Sequence, residues 1–517
     1  MSKLTVFLTL AWALSLLYGE MFAFWIPYIW SCSWPRPPSS MSKVDNPGDY
    51  VNIAVLADPQ LMDKTSLRLA PKSLALEMAQ FYTDLFMRRA FLSSILPFKP
   101  DVILFLGDYF DGGPFLTDKE WLESWSRFKH IFNLDMLQQT TNFKIFYLAG
   151  NHDVGYAAFH SRMPQVIRRY EKVFGVRNYH FTIGVVNFIA VDAQTLDGKP
   201  QGIETATTWN FLKQVSKNIT SRPSVLLTHI PLYRPDWTSC GPYRASPIIN
   251  QRINRDDHDK EILYQNYVTE EHTNHLLELI KPALILSGHD HDQCTIVHTT
   301  KHGAVKEHSL GTISWQQGNL FPSFMLLSAS NLTLSDGSQP ADAFSTRVCF
   351  LPAQTHIYIW YLLMLILTVL VLFWPTNGFP LLHKCMRSLI SSSIFEGVKE
   401  KNDDDFCEYE EVWDVEGSMH LIRKISKASP PTHSSHSSME RGNAVMRSAA
   451  RKHSNVQEGD ISMPLEVEGA RLPSRANISK MKLVIRRLLR VFRVLSVVAA
   501  FNVPLYMMLL FKDWIDK

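Results

Sequence analysis

Five apolar runs of this chain each end on a residue that can bind a metal ion. The endings are Asp58-Pro59-Gln60, Gly107-Asp108, Gly150-Asn151-His152-Asp153, His229 and Gly288-His289-Asp290-His291. A buried strand followed at once by such a residue places it at the carboxyl edge of a sheet, where α/β sheets hold ligands. One ending of this kind is usually only a turn. Five endings in one chain predict that they converge on one edge and form one site.

The residue types suit a pair of divalent cations. Two ions about 3.5–4 Å apart can activate a hydroxide and hold the oxygens of a phosphoryl group. Asp108 follows the central run of the series, so we predict that it bridges both ions. The remaining ligands are predicted as Asp58 and His291 for one ion, and Asn151, His229 and His289 for the other.

His152 follows a predicted ligand and is expected to lie above the metals without binding them. It suits a general acid that protonates the leaving alkoxide. The carboxylate of Asp111 is the candidate partner for its second ring nitrogen. Asp153 is either a structural turn or cap residue or part of this machinery.

Composition limits the function classes. The chain has 517 residues, 46% hydrophobic and 20% charged, with a net charge of +3. Basic residues concentrate in the C-terminal third, so nucleic-acid binding gains no support. The six cysteines fit neither a zinc-binding spacing nor a dense disulfide scaffold. Cys240 and Cys294 could pair in an oxidising compartment, whereas Cys385 and Cys407 should be reduced.

The N-terminus is predicted to be a transmembrane anchor over 1–32. Its apolar stretch is longer than a cleavable signal peptide and ends in a cluster of aromatic residues. Glu20 is the one feature that argues against this interpretation, and cleavage remains the alternative. Residues 33–49 are rich in proline and serine and indicate a linker.

Residues 50–352 alternate strand-like and helix-like runs, which predicts one large α/β domain. Residues 356–374 predict a transmembrane helix, with a buried core helix as the alternative. Residues 375–493 are acidic, then rich in serine and histidine, and indicate a largely disordered loop with a basic juxtamembrane end. Residues 494–511 predict a further transmembrane helix, with a basic amphipathic surface helix as the alternative.

The distribution of lysine and arginine predicts the topology. The basic residues before 494 place the 375–493 loop in the cytosol, so the 50–352 domain is expected in the lumen. The acceptor triplets at Asn218 and Asn331 agree with a lumenal glycoprotein, although such triplets also occur by chance.

The ordered motifs Asp-x-Gln, Gly-Asp-x-x-Asp-Gly, Gly-Asn-His-Asp, His229 and Gly-His-Asp-His resemble the signature of the calcineurin-like metallophosphoesterases across the 50–320 region. The resemblance implies a four-layer α-β-β-α sandwich and a two-metal site. It also implies that His152 and Asp111 are the catalytic acid pair. The metal ligands that it implies are Asp58, Gln60, Asp108, Asn151, His229, His289 and His291.

A finer resemblance rests on the segments at 150–156, 229–234, 266–267 and 314–315. They are similar to membrane-bound enzymes of the early secretory pathway that remodel GPI anchors. The resemblance implies a manganese-dependent phosphodiesterase that removes an ethanolamine-phosphate branch from a mannose of the GPI glycan and so supports ER-to-Golgi transport. Its expected substrates are GPI-anchored proteins or GPI glycolipid. The expected location is the membrane of the endoplasmic reticulum, the Golgi or both.

Two positions depart from the wider family. Gln60 stands where many members have histidine; as a ligand its amide oxygen would favour Mn²⁺ over Zn²⁺, and the alternative is that it binds no metal. Gly112 stands where soluble protein phosphatases have an arginine that holds phosphate. Arg234 is either a replacement contact to substrate or a surface ion-pair partner.

Two other functions remain open from the sequence. One is a lumenal phosphomonoesterase or nucleotide pyrophosphatase. The other is an adaptor that binds GPI cargo through an inactive domain; the retained set of predicted ligands argues against it.

Overall fold

The computed structural model describes residues 2–36, 48–67, 69–139, 143–218, 222–245, 249–258, 260–333, 339–373, 409–413, 419–423 and 475–515. The linker expected at 33–49 and the loop expected at 375–493 lie mostly outside these residues. The chain divides into two compact units, one formed by Met1–Phe373 with Arg486–Lys517 and the other by Trp374–Ile485.

Two mixed sheets form the centre of the first unit. The strands of the first sheet, in spatial order, are β13 (Phe344–Phe350), β12 (Ser323–Ser330), β1 (Tyr50–Leu56), β2 (Val102–Phe105) and β3 (Lys144–Tyr147). The strands of the second are β10 (Cys294–Thr300), β11 (Gly303–Ser309), β9 (Leu284–Ser287), β6 (Ser224–Thr228), β5 (Val186–Val191) and β4 (Tyr179–Ile183). Neighbours are parallel from β1 to β3 and from β5 through β6 and β9 to β11.

The sheets pack face to face, and helices cover both outer faces. In β1, Ile53 and Val55 lie in the core between the sheets, whereas Ala54 and Leu56 lie in the core beneath the helices of the first sheet. Both faces of such a strand are buried, which explains why it is a continuous apolar run rather than an alternating one. The four-layer α-β-β-α fold expected from the sequence is confirmed.

The first helical layer packs on the outer face of the first sheet. The second helical layer packs on the outer face of the second sheet. The helices of this domain are α3 (Leu74–Arg89), α4 (Asp118–Ile131), α5 (Leu134–Gln138), α6 (Asn151–Val154), α7 (Ala157–Arg162), α8 (Pro164–Phe174), α9 (Ile203–Asn218) and α10 (Glu270–Ile280). A two-stranded ribbon, β7 (Ile253–Arg255) with β8 (Ile262–Gln265), completes it.

Within the described residues, three helices are long and apolar enough to cross a membrane. The first comprises α1 (Lys3–Leu17), a π-helical turn, α2 (Ala23–Ile26) and a second π-helical turn that ends at Ser31. The second is α11 (Gln354–Phe373), and the third lies in α12 (Arg475–Trp514). The helix α12 is longer at both ends than the predicted 494–511 span, because helical structure continues through the basic segment before it.

Polar contacts join the three helices. Trp12 Nε1 donates to Thr368 Oγ1 at 3.0 Å, and Asn502 Nδ2 donates to the Thr9 carbonyl at 3.3 Å. Such bonds are a common source of specificity between apolar helices. They orient the first and third helices in parallel, with α11 antiparallel to both. The ends at Ser31, Gln354 and Trp514 therefore face the sandwich domain, and the other three ends lie away from it.

Glu20 is buried and paired rather than exposed to apolar surroundings. Its carboxylate forms an ion pair with Arg89 of α3 and accepts a hydrogen bond from the Tyr361 hydroxyl at 3.0 Å. Arg89 also contacts Asp513 and donates to the Leu509 carbonyl at 2.6 Å. The acid that weakened the anchor prediction is thus a contact between the anchor and the domain.

The described residues include two disulfides. Cys240 pairs with Cys294, the pairing considered from the sequence, and Cys32 pairs with Cys349. In the second unit, the described residues include an antiparallel pair of strands, β14 (Tyr409–Trp413) with β15 (Met419–Arg423).

Candidate metal centre

The five polar endings meet at one place, but they come from two sheets rather than one edge. β1, β2 and β3 carry Asp58, Asp108 and Asn151, whereas β6 and β9 of the second sheet carry His229 and His289. The expectation of a single edge was wrong. Because the sheets pack face to face with these five strands running the same way, their carboxyl ends meet across the sandwich.

Asp108 is shared by two clusters of potential ligands. One cluster consists of Asp108, His229 and His289, and the other of Asp58, Asp108 and His291. Within each cluster the candidate ligand atoms lie within 4.8 Å of one another. This is the arrangement that a bimetallic site with one bridging carboxylate requires. The Oδ1 atom of Asn151 lies 3.1 Å from His229 Nε2 and so adjoins the first cluster.

Most of the candidate ligand residues adopt a left-handed backbone. The φ angles are 50° at Asp58, 38° at Gln60, 55° at Asp108, 67° at His289 and 58° at His291. Non-glycine residues rarely adopt this conformation, and clusters of such residues occur at functional sites. In this structure, the left-handed residues turn the chain sharply at the strand ends.

Two glycines allow these turns to approach one another. Gly107 has a φ of 101°, and a Cβ atom there would lie 2.7 Å from His229 Nδ1. A Cβ on Gly150 would lie 2.1 Å from Asp108 Oδ1. Each contact is too short for a side chain, so glycine is required at both positions.

Main-chain groups fix the imidazole rings. His229 Nδ1 lies 2.7 Å from the Leu106 carbonyl, which leaves Nε2 facing Asp108 Oδ2 at 3.1 Å. His289 Nε2 contacts the Gln265 carbonyl at 3.1 Å. Its backbone nitrogen donates to both oxygens of Asp58 at 3.0 Å. A carbonyl acceptor on one ring nitrogen determines which nitrogen remains for a metal.

Burial and charge set the protonation of these groups. Burial lowers the pKa of His289 to about 3 and that of His291 to about 4, so both rings are neutral and can act as ligands. Burial raises the pKa of Asp58 to about 8. Burial opposes the charged form of His229, but Asp108 and Asp58 outweigh it and raise the pKa to about 9. Buried carboxylates are stabilised by cationic partners, which fits a cation-binding centre.

Asp153 is a structural residue. Its carboxylate accepts hydrogen bonds from the backbone nitrogens of Asp108, Tyr109 and Gly150 at 2.8–2.9 Å. It thereby joins the turn after β2 to the start of α6. Of the two roles considered for Asp153, the structure supports the turn and cap role.

His152 lies at the surface of the centre, with 35% of its side chain exposed. Its backbone nitrogen donates to Asp108 Oδ1 at 2.8 Å. Its Nδ1 atom contacts the backbone carbonyl of Asp111, whereas the Asp111 carboxylate lies 3.7 Å away and accepts from Ser66 Oγ at 2.6 Å. The expected orienting carboxylate is therefore replaced in this structure by the carbonyl of the same residue. Burial opposes protonation of His152, but Asp108 and this carbonyl raise its pKa.

Residues 51–293 match the family model described as calcineurin-like phosphoesterase. These residues form a calcineurin-like phosphoesterase domain. Hydrolysis of phosphoric ester bonds is the activity that this family description implies for the domain.

Curated relatives extend beyond the phosphoesterase domain. The chain is 28% identical to Cell division control protein 1 of Saccharomyces cerevisiae over 60% of its length and 63% of the yeast protein. It is 27% identical to Metallophosphoesterase 1 of Gallus gallus over 69% of this chain and 86% of that protein. It is 26% identical to Metallophosphoesterase 1 of Cricetulus griseus over 67% of this chain and 83% of that protein. The match thus spans less than two thirds of the yeast protein and more than four fifths of these vertebrate proteins.

Gln60 lies next to the shared carboxylate of the phosphoesterase domain. Its Nε2 atom donates to Asp108 Oδ2 at 3.0 Å, and its buried Oε1 atom has no hydrogen-bond partner among the described residues. A buried carbonyl oxygen without a donor is a group that a cation could satisfy. The donor set of carboxylate, amide and imidazole groups therefore fits divalent ions such as Mn²⁺ or Zn²⁺.

Arg234 takes neither of the two roles considered from the sequence. It is fully buried, and its guanidinium donates to Ser309 Oγ at 2.8 Å, lies 3.4 Å from Glu307 and stacks 4.8 Å from the Tyr267 ring. It does not line the cavity above the metal centre of the phosphoesterase domain. Its Nη1 atom lies 3.8 Å from Oδ2 of Asp290, a residue that does line the cavity. Arg234 therefore supports the wall of the site from within.

A cavity of about 640 Å³ lies above the metal centre. Its floor includes Asp108, Asn151, His289 and His291, and His152 and Asp111 line its side. The walls that the sequence interpretation did not assign are Thr65, Pro114, Phe115, Phe159, Leu263 and Tyr264. Aromatic residues carry no sequence signal that separates a cavity wall from a core position. Asp58 and Gln60 lie below the floor.

Proposed function

We propose that this chain is a secretory-pathway phosphodiesterase that removes an ethanolamine-phosphate branch from a mannose of the GPI glycan. The observation that carries this proposal is the shared position of Asp108 in two ligand clusters below a cavity that His152 lines. The finer motif resemblance and the three apolar helices support the choice of a lipid-anchored substrate.

Two divalent ions in the clusters would activate water and withdraw charge from the phosphate oxygens. The chain's own residues supply the remaining functions. His152 donates a proton to the departing oxygen of the mannose, so that ethanolamine phosphate is released. The Asp111 carbonyl holds the His152 ring, and Asp153 holds the turn that presents Asp108.

The cavity favours a diester over a monoester. Among the described residues that line it there is no lysine or arginine. A phosphate monoester carries a second negative charge that soluble phosphatases neutralise with an arginine, and Gly112 occupies that sequence position. Aromatic walls instead provide surface for organic groups on both sides of a diester.

We propose Mn²⁺ as the resident metal. The support is Gln60, which stands where many family members have histidine. A histidine imidazole at this position would favour zinc more strongly than the neutral amide oxygen of Gln60 does. Metal analysis of the purified chain, with a Gln60→His variant as a comparison, tests this point. Mn²⁺ should predominate in the natural chain, and the variant should take up more Zn²⁺.

We propose that the domain lies in the lumen of the endoplasmic reticulum or Golgi. Support comes from the two disulfides, which need an oxidising compartment. Asn218 and Asn331 are exposed, as glycan acceptors must be. Arginines 486, 487, 490 and 493 lie at the helix end away from the domain, and positive charge marks the cytosolic side. The substrate and the enzyme then diffuse in the same membrane.

The decisive test compares the natural chain with Asp108→Asn in cells that lack the protein. Mass spectrometry of their GPI glycans should show a retained ethanolamine phosphate that the natural chain removes and the variant does not. A surface variant, Asp118→Asn, is the matched control and should restore trimming. Full restoration by Asp108→Asn would favour the non-catalytic adaptor instead.

A purified enzyme assay separates the two enzymatic candidates. With Mn²⁺ present, the full chain should hydrolyse a diester reporter, bis-p-nitrophenyl phosphate, faster than p-nitrophenyl phosphate. Preferential turnover of the monoester would support the phosphomonoesterase alternative.

A further inference from the structure

A second cavity lies at the end of the membrane helices that is away from the phosphoesterase domain. Its volume is about 520 Å³, and it lies between the start of α1 and the basic part of α12. We name it the basic cavity. Its lining residues are Ser2, Thr5, Arg486, Leu489, Arg490, Arg493, Val494 and Val497.

The charge of the basic cavity is uncompensated by the described residues. Arg486, Arg490 and Arg493 line it from one face of α12, and no aspartate or glutamate is among the lining residues. The three arginines are exposed, and no hydrogen bond or ion pair to the described part of the chain occupies them. Arg487, one residue from Arg486, is also exposed but lies outside the cavity lining. The arrangement therefore presents uncompensated positive charge to an anion from outside the described residues.

The opposite wall is polar and fixed. Thr5 is buried, with 4% of its surface exposed, and its Oγ1 atom lies 2.7 Å from Ser2 Oγ. Hydroxyl and guanidinium groups together provide donors for phosphate oxygens, and arginine can bind two of those oxygens at once. Leu489, Val494 and Val497 supply an apolar surface next to these donors.

The position of the basic cavity matches the level of lipid headgroups. Arg493 and Lys512 are 19 residues apart on α12, which corresponds to about 28 Å of helix. The hydrocarbon core of a bilayer is about 30 Å thick. If Lys512 and Asp513 lie at the membrane surface that faces the domain, Arg493 lies at the opposite surface. Phosphate groups and the beginnings of acyl chains are found at that depth.

We propose that the basic cavity binds the headgroup of an anionic phospholipid. The arginines and the Thr5 wall contact its phosphate, and the apolar residues of the cavity contact its acyl chains. This site is separate from the metal centre and does not depend on the proposed substrate. Its effect is to hold the first and third membrane helices together through a lipid, because each contributes one wall.

The test uses the full chain purified in detergent and native mass spectrometry with an equimolar mixture of phosphatidylserine and phosphatidylcholine. The natural chain should retain phosphatidylserine selectively. Arg490→Gln should reduce the retained phosphatidylserine by roughly tenfold, whereas the charge-matched Arg487→Gln should change it less than about twofold. Thr5→Val, on the other wall, should also reduce it. Diester hydrolysis of a soluble reporter should be unchanged in all three variants.

Three outcomes would overturn the proposal. Equal losses in Arg490→Gln and Arg487→Gln would show general attraction to positive charge rather than a site. Displacement of the lipid by equimolar glycerol phosphate would identify a site for soluble phosphate esters. A protein dimer that disappears with Arg490→Gln would assign the cavity to a second copy of the chain.

Discussion

Gly150 lies directly against Asp108, so that a Cβ atom on Gly150 would be 2.1 Å from Asp108 Oδ1 and 2.4 Å from its backbone nitrogen. The shared carboxylate therefore has its position only because the neighbouring strand ends without a side chain. Gly150→Ala should displace Asp108, lower the content of both metal ions and reduce diester hydrolysis at least about 100-fold. Metal analysis and steady-state kinetics provide the measurements. Gly48→Ala, where a Cβ would meet nothing within 4 Å, should behave as the natural chain does.

His152 should affect proton donation and not metal binding. His152→Gln should lower kcat by about 10²- to 10⁴-fold for a diester with an alkoxide leaving group. The loss should be much smaller for a p-nitrophenolate leaving group, which needs little protonation. The metal content should stay that of the natural chain. Equal losses with both leaving groups would contradict the role of general acid.

The ion pair between Glu20 and Arg89 should be important for stability. Its side chains are 2% and 3% exposed, so Arg89→Met would leave Glu20 buried without its cationic partner. Loss of one partner from a buried pair costs about 3–5 kcal/mol, which should lower the melting temperature of the detergent-purified chain by about 5 °C. The double variant Glu20→Gln/Arg89→Met should recover part of this loss. The exposed pair Lys119 and Glu123 provides the control, since Lys119→Met should change the melting temperature by less than about 1 °C.

Asp197 and His272 should make stability depend on pH. His272 Nδ1 lies 2.5 Å from Asp197 Oδ1, and this hydrogen bond raises the pKa of His272 above its usual 6.5. Because the folded state binds the proton more tightly, the contribution is fully present below about pH 6.5 and is lost as the pH rises through the higher folded pKa. The natural chain should melt above His272→Gln at about pH 6, and this difference should be lost as the pH rises through the raised pKa of His272. A difference that is independent of pH would show that the contact acts only through packing.

Asp197 also links this pair to the metal centre. It accepts from the Thr269 backbone nitrogen at 2.9 Å and from Gln265 Nε2 at 3.3 Å, and the Gln265 carbonyl contacts His289. His272→Gln should nevertheless leave the metal content unchanged, because Asp197 retains these other donors.

The features of the fold and site that could be predicted from the sequence are those that depend only on neighbouring residues in the chain. A buried strand that ends on Asp58, Asp108 or His229 can be identified without knowledge of its neighbours, because apolar continuity and the polar ending are both written in consecutive residues. The two-sheet arrangement could not be found this way. Strand endings at His229 and His289 show the same pattern whether they lie in the first sheet or the second.

The features that escaped prediction depend on partners distant in sequence. Arg234 is buried because Glu307 and Ser309 meet its guanidinium from β11, and nothing near position 234 signals this. Glu20 is tolerated in an apolar helix because Arg89, 69 positions away, neutralises it. In both cases the charge alone predicts a surface residue, and only the tertiary partner reverses that expectation.

The bond between Cys32 and Cys349 joins the end of the first membrane helix to the strand that precedes the second. It closes the chain between the two cysteines, whose sequence separation is 317, into a covalent ring that contains the sandwich domain. A single protease cut at any exposed loop within that ring would therefore leave the two fragments covalently joined through the disulfide. Release of a soluble fragment would require two separate cuts, because a candidate membrane helix flanks the ring on each side.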